Sequence, residues 1–277
     1  MQRSLVALMK VLPRVVLYAV MALVVPFYML INREGYRTTY RFFRERLGHG
    51  PLRSFAGVYV NHFVFGGVIL DRFAMYAGKT FRFESSENDR IRQMSSEPEG
   101  FIISSSHVGN YELAGYSLSS GAKTLNALVF AGEKKTVMDG RRKMFSGTGI
   151  SMIPIMEDMS HIYRINSLLG EGQIVSMPCD RIFGSPKYVE APFFGESARF
   201  PMGPFAIAVS KGVKMVAVFS MKTSLKGYRL IVRPLEMCGE TRAEKTSSLA
   251  RSYAAALEQT IREYPYQWFN YFDFWKK

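Results

Sequence analysis

From residue 101 to the C-terminus, short apolar runs alternate with amphipathic ones, and no other feature restricts the fold as strongly. The apolar runs, at 101–105, 124–130, 152–155, 173–177, 189–193, 213–219 and 228–233, have strand length. Between them, 111–119, 135–145, 159–169, 203–211 and 242–263 carry helical spacing. This order predicts an α/β fold with a central, mostly parallel sheet flanked by helices. Upstream, 34–47 and 55–76 read as helices rich in aromatic residues with basic faces, separated by a Gly-His-Gly-Pro turn at 48–51. No internal repeat or low-complexity linker divides the body, so 34–277 reads as one catalytic-sized domain.

The N-terminus imposes a second constraint. Residues 15–31 (VVLYAVMALVVPFYMLI) carry no charge, a length at the lower end of the roughly 17–25 residues that span a bilayer. Arg3, Lys10 and Arg14 precede the run; Arg33, Arg37, Arg41, Arg44 and Arg46 follow it. The heavier basic cluster on the C-terminal side places the body in the cytoplasm by the positive-inside rule. No small-x-small cleavage site follows, so a removed signal peptide is disfavoured. The expected arrangement is a hydrophobic helical membrane anchor at 1–33, with Pro26 and the short length also permitting an interfacial helix.

Charge narrows the partners. The chain has 36 Lys and Arg against 23 Asp and Glu, a net +13, which suits nucleic acid, an anionic membrane or an acidic protein. Nucleic acid is set aside, because there is no zinc-finger spacing, RNA-recognition motif or long Lys/Arg run. Cys179 and Cys238 are too few and too far apart for a disulfide framework or a zinc site, and no metal is expected.

The chemistry-bearing stretch is 101–115 (FIISSSHVGNYELAG), which leaves a strand through three serines to His107 and Glu112. A strand's C-terminal end leading into a helix is where α/β folds place their sites. On one continuous helix the two side chains would sit about 140° apart and never meet. They can meet if His107 lies in a turn before the helix and Glu112 in its first turn, where the helix dipole favours an acid. Gly109 supplies the backbone freedom for that turn. Glu112 can then accept the proton-bearing imidazole nitrogen and leave the other as general base. Read alone, the pair also fits a surface histidine beside a helix-start acid. His49, His62 and His161 have no acid at useful spacing and read as structural. There is no G-x-S-x-G elbow, no P-loop and no dinucleotide fingerprint.

Several stretches, in order, carry a resemblance. Residues 107–114 (HVGNYELA) look like the H-x4-D/E motif of glycerolipid-type acyltransferases. Residues 177–184 (MPCDRIFG) resemble the Pro-x-Asp segment of one branch, the bacterial late acyltransferases of lipid A biosynthesis. Residues 191–203 (APFFGESARFPMG), 213–219 (VKMVAVF) and 264–269 (YPYQWF) are similar to its later blocks. After Phe130 the chain reads AGEKK where the lipid A enzymes often carry Tyr-Arg-Pro.

The resemblance implies a membrane-associated acyltransferase. It moves an acyl group from an acyl carrier protein or coenzyme A thioester, as co-substrate, to a hydroxyl or amine of a lipid acceptor, with no bound cofactor. His107 is then the base and Glu112 its orienter. Arg141 and Arg142 are candidate oxyanion donors or part of a solvated helix face. Asp180 and Arg181 either shape the acceptor site or form a structural pair. Gly195, Arg199 and Gly203 read either as an anion seat at a helix start or as a tight strand-to-helix connection. The implied place is the cytoplasmic face of the bacterial inner membrane. The acceptor stays open among a lipid A precursor, lysophospholipid, aminoacyl lipid, glycolipid or pigment. The alternative is a catalytically silent lipid- or carrier-binding protein on the same fold.

Overall fold

The computed structural model describes residues 6, 9, 11–84, 88–118, 123–130, 149–182 and 186–275. Its centre is a seven-stranded sheet. In chain order the main-sheet strands are β1 (Arg82–Glu84), β2 (Phe101–Ser105), β3 (Leu125–Phe130), β4 (Ile150–Ile155), β5 (Ile174–Pro178), β8 (Met215–Lys222) and β9 (Gly227–Pro234). Their spatial order is β1-β9-β8-β2-β5-β3-β4, and only the β8–β9 pair is antiparallel.

The sheet is covered on both faces, which explains why its central strands carry apolar residues on both sides rather than at alternate positions. Ile102, Ala217, Phe219 and Ile231 point into one core. Their neighbours Phe101, Ile103, Val216, Val218, Leu230 and Val232 point into the other. The first core is closed by helices α7 (Met202–Lys211) and α8 (Arg242–Glu263); the second by α4 (Asn88–Ser96) and α5 (Tyr111–Leu118). Helix α6 (Ser160–Gly170) leads into β5. The expected helix at 135–145 lies outside the described residues.

Helix α8 starts at the position its sequence sets. The Thr241 side chain accepts from the Glu244 N–H, and the Glu244 carboxylate accepts from the Thr241 N–H, a reciprocal capping box. Thr241→Ala is expected to lower stability by about 1 kcal/mol, read as a lower thermal midpoint with unchanged cavity chemistry.

One expected strand sits elsewhere. The run at 189–193 belongs to β6 (Tyr188–Phe193), which among the described residues pairs only with β7 (Glu196–Pro201), in a separate antiparallel hairpin. Phe193 is registered with Glu196, so Phe194 and Gly195 are the two turn residues, with φ 51° and 82°. Two positive φ values make this a primed turn, whose twist matches a hairpin. The Phe194 N–H is held by Glu258 at 2.6 Å. The strand-to-helix connection expected here is therefore a complete strand, β7, which runs directly into α7.

The N-terminal elements pack as helices. Helix α1 (Arg14–Ile31) lies against α3 (Pro51–Tyr76), with α2 (Arg33–Arg41) and a π-helical turn (Phe42–Arg46) between them. The single helix expected at 34–47 thus divides, and the π turn buries Phe42 and Phe43. Pro51 opens α3 at its first position, where its missing N–H costs nothing. Helix α1 buries Leu17, Val25 and Met29 and exposes Val20, Leu23, Phe27, Leu30 and Ile31. Both α1 and α3 are long and apolar enough to cross a membrane.

Candidate active site

The loop after β2 is fixed by its backbone. The Gly109 N–H donates to the Gln267 carbonyl (2.9 Å), the Asn110 N–H to Ser220 (2.8 Å), and the Phe269 N–H to His107 (2.9 Å). The loop therefore lies between the end of β8 and the aromatic C-terminal segment. Gly109 has φ 62°, and a Cβ there would meet the Ser220 carbonyl oxygen at 2.2 Å. Asn110 caps α5: its Oδ1 accepts from Leu113 N–H at 3.3 Å and its carbonyl from Ala114 N–H at 3.1 Å. His107 thus precedes the helix and Glu112 occupies its first turn.

The carboxylate at the imidazole is Asp180. His107 Nδ1 lies 3.0 and 3.1 Å from the two Asp180 oxygens, and the His107 backbone N–H donates to Oδ2 at 2.6 Å. Strand pairing produces this. β2 and β5 are parallel neighbours with Ser105 opposite Pro178, so His107 and Asp180 each emerge two residues past the same register pair. The Asp180 side chain is 2% exposed, whereas the imidazole is 30% exposed. Burial pushes the Asp180 carboxyl up, but the charge and hydrogen bonds of His107, with the Arg181 charge, outweigh it and leave it below the usual range. An ionised Asp180 accepts the Nδ1 proton, which turns the Nε2 lone pair outward.

Glu112 is engaged elsewhere. Its Oε1 accepts from Arg72 at 2.7 Å and its Oε2 from the Tyr76 hydroxyl. The first turn of α5 faces α3, and the Arg72 guanidinium and Tyr76 hydroxyl hold the carboxylate there. The expected His107–Glu112 contact is replaced by His107–Asp180. His107 and Glu112 nevertheless line the same cavity.

That cavity holds about 1270 Å³, with walls that include Leu118, Leu125, Leu128, Ile150, Met152 and Ile162. His107, Glu112 and Arg181 bring polar groups to this wall. Arg181 also donates to the Phe269 carbonyl (3.3 Å) and lies over the Phe272 ring. Gly203 lines the cavity from the first turn of α7, beside Pro201 and Pro204.

The remaining expected residues divide. Gly195 sits in the hairpin turn, and Arg199 pairs with Glu190 across that hairpin (3.6 Å) and lies over Tyr188; neither lines the cavity. The hairpin turns them away because β7 intervenes before the helix start. Arg141 and Arg142 lie outside the described residues.

Sequence reasoning misses Asp71, Arg72 and Tyr76 of α3, and Lys222 at the end of β8. The signal that could find them is the charged pair Asp71-Arg72 within the apolar second half of this helix, since such residues are seldom buried without a partner. Asp71 is fully buried and accepts from Lys222 and from Tyr228.

The sequence model of the family described as bacterial lipid A biosynthesis acyltransferase matches residues 78–277. No curated protein matches the chain.

Proposed function

The chain belongs to the bacterial lipid A biosynthesis acyltransferase family, and from that premise we propose that it acylates a lipid at the His107–Asp180 pair. His107 Nε2 takes the proton of an acceptor hydroxyl or amine as that group attacks a thioester carbonyl. The tetrahedral intermediate collapses, the carbon–sulfur bond breaks, and the departing thiolate recovers the proton from Nε2. Asp180 holds the imidazole in the required tautomer and balances the transient imidazolium. Glu112 lines the same wall, held by Arg72 and Tyr76. Arg181, with Arg141 and Arg142, supplies cations to the oxyanion.

The observation that carries this reading is an imidazole that is backed by a buried carboxylate and opens on a large, mainly apolar cavity. Such a cavity suits an acyl chain. The donor is an acyl thioester of acyl carrier protein or coenzyme A, and the net charge of +13 favours the acidic carrier protein. The apolar outer face of α1 and the arginines after it support attachment at the cytoplasmic side of the inner membrane.

The test is mass spectrometry of membrane lipids from cells with and without the protein. One lipid species heavier by a single acyl chain is expected only when the protein is present. Identical lipid profiles, together with no turnover by purified protein of any thioester and lipid pair, would sink the reading.

A further inference from the structure

Beneath the His107 loop lies a buried chain of hydrogen bonds that the acyl-transfer chemistry does not use. Asp71 Oδ2 accepts from the Tyr228 hydroxyl at 2.6 Å and from Lys222 Nζ; its Oδ1 accepts from the Tyr18 hydroxyl of α1 at 3.1 Å. Asn110 Nδ2 donates to the Tyr228 oxygen at 3.3 Å, and Asn110 Oδ1 accepts from Leu113 N–H. Asp71, Tyr228 and Asn110 are each at most 1% exposed, so water cannot substitute for a missing partner.

We propose that Asp71 is a positioning residue for the His107 loop, acting through the Tyr228 hydroxyl on the orientation of the Asn110 side-chain amide. Donor–acceptor direction carries the argument. The hydroxyl has one proton, and the Asp71 carboxylate, which only accepts, takes it. The Tyr228 oxygen then offers only lone pairs, so Asn110 must turn its NH2 toward it. That turns the Asn110 carbonyl oxygen toward Leu113 N–H, which can only donate. A charge on α3 thereby selects the amide orientation that caps α5. The cap sets where the helix begins, and so where His107 leaves the turn. A buried ion pair such as Asp71–Lys222 adds little net stability over an apolar pair of similar volume, so a directional role accounts for it better than a stabilising one.

This rests on the reading of His107 as the base, and the test separates the two. The double variant Asp71→Leu/Lys222→Met removes the acceptor without stranding a cation. The Tyr228 proton is then free to donate to Asn110 Oδ1, which flips the amide and sets its NH2 against Leu113 N–H. In full-length protein in detergent micelles, Leu113 amide exchange is expected to speed up about tenfold, as for a lost cap. The kcat for acyl transfer should fall about tenfold with KM for the thioester little changed. Adding Tyr228→Phe removes the competing hydroxyl and should restore both quantities.

Deeper loss on adding Tyr228→Phe, or unchanged Leu113 exchange in the double variant, would overturn the proposal. Should the double variant fail to fold, Asp71→Asn decides: faster Leu113 exchange with a lower kcat, both restored by adding Tyr228→Phe, support the chain, and near-native values or no restoration refute it. If wild-type protein transfers no acyl group while Leu113 exchange still responds and recovers, the positioning chain stands and the assignment of His107 as base fails.

Discussion

His107→Ala is expected to lower acyl transfer by about 10²–10⁴-fold, the usual worth of a positioned general base, while lipid binding stays near native and the thermal midpoint falls, because Asp180 is left buried without the imidazole. The imidazole is partly exposed to the cavity, so truncating it removes little packing. Asp180→Asn should cause a comparable fall for a different reason. An amide can turn its NH2 toward Nδ1, which then must accept; the proton moves to Nε2 and the base is lost. Glu112→Gln should cost less, because Glu112 meets Arg72 and Tyr76 rather than the imidazole. If Glu112→Gln proves more damaging than Asp180→Asn, Glu112 is the orienter and the Asp180 assignment is wrong.

The same aspartate links function to pH stability. Its folded carboxyl titrates below the ordinary value, so the stability it supplies is fully present above an unfolded pKa of about 3.9. It is lost as pH falls through the lower folded value. Thermal midpoints of wild type and Asp180→Asn should therefore diverge towards neutral pH and converge in strong acid.

Local patterns make most of the sheet legible in the sequence. Strand β2 reads directly because Phe101, Ile102 and Ile103 are buried from both sides and each must be apolar. Helix α8 reads directly because Thr241 and Glu244 announce its first turn. Strand β1 does not, since it is three residues long, Arg82 and Glu84 are exposed, and its pairing with β9 sets Phe83 beside Tyr228 and Glu84 beside Arg229, partners far away in the sequence. Strand β7 is hidden because its turn places Phe194 where asparagine or glycine is the usual signal. The site divides in the same way. His107 before a helix and Glu112 within it follow from spacing and Gly109. The meeting of His107 with Asp180 follows from the adjacency of β2 and β5, a nonlocal pairing that no periodicity encodes. Asp180 stands out in the sequence as a residue beside a strand end, but its partner depends on which strand lies next door.

Gly109→Ala should be the most damaging single-methyl addition in the loop. Two costs combine. A residue with a Cβ pays roughly 1–2 kcal/mol to hold a left-handed conformation, and Gly109 has φ 62°. The new methyl would also fall 2.2 Å from the Ser220 carbonyl oxygen, a backbone atom that cannot swing aside. Relief requires the loop to move away from β8, which breaks the Asn110–Ser220 bond and loosens the Gly109–Gln267 bond. A displacement of about 1 Å at a reacting group can cost about 10²-fold in rate, and His107 is two residues away. We therefore expect a lower thermal midpoint together with a fall of about 10²-fold in kcat/KM. Gly195→Ala is the control: φ there is 82°, but no atom lies within 4 Å of the added Cβ. It should carry the conformational cost alone and leave acyl transfer intact. Equal losses of activity in the two variants would show that backbone strain, not the press of the loop against β8, governs the site.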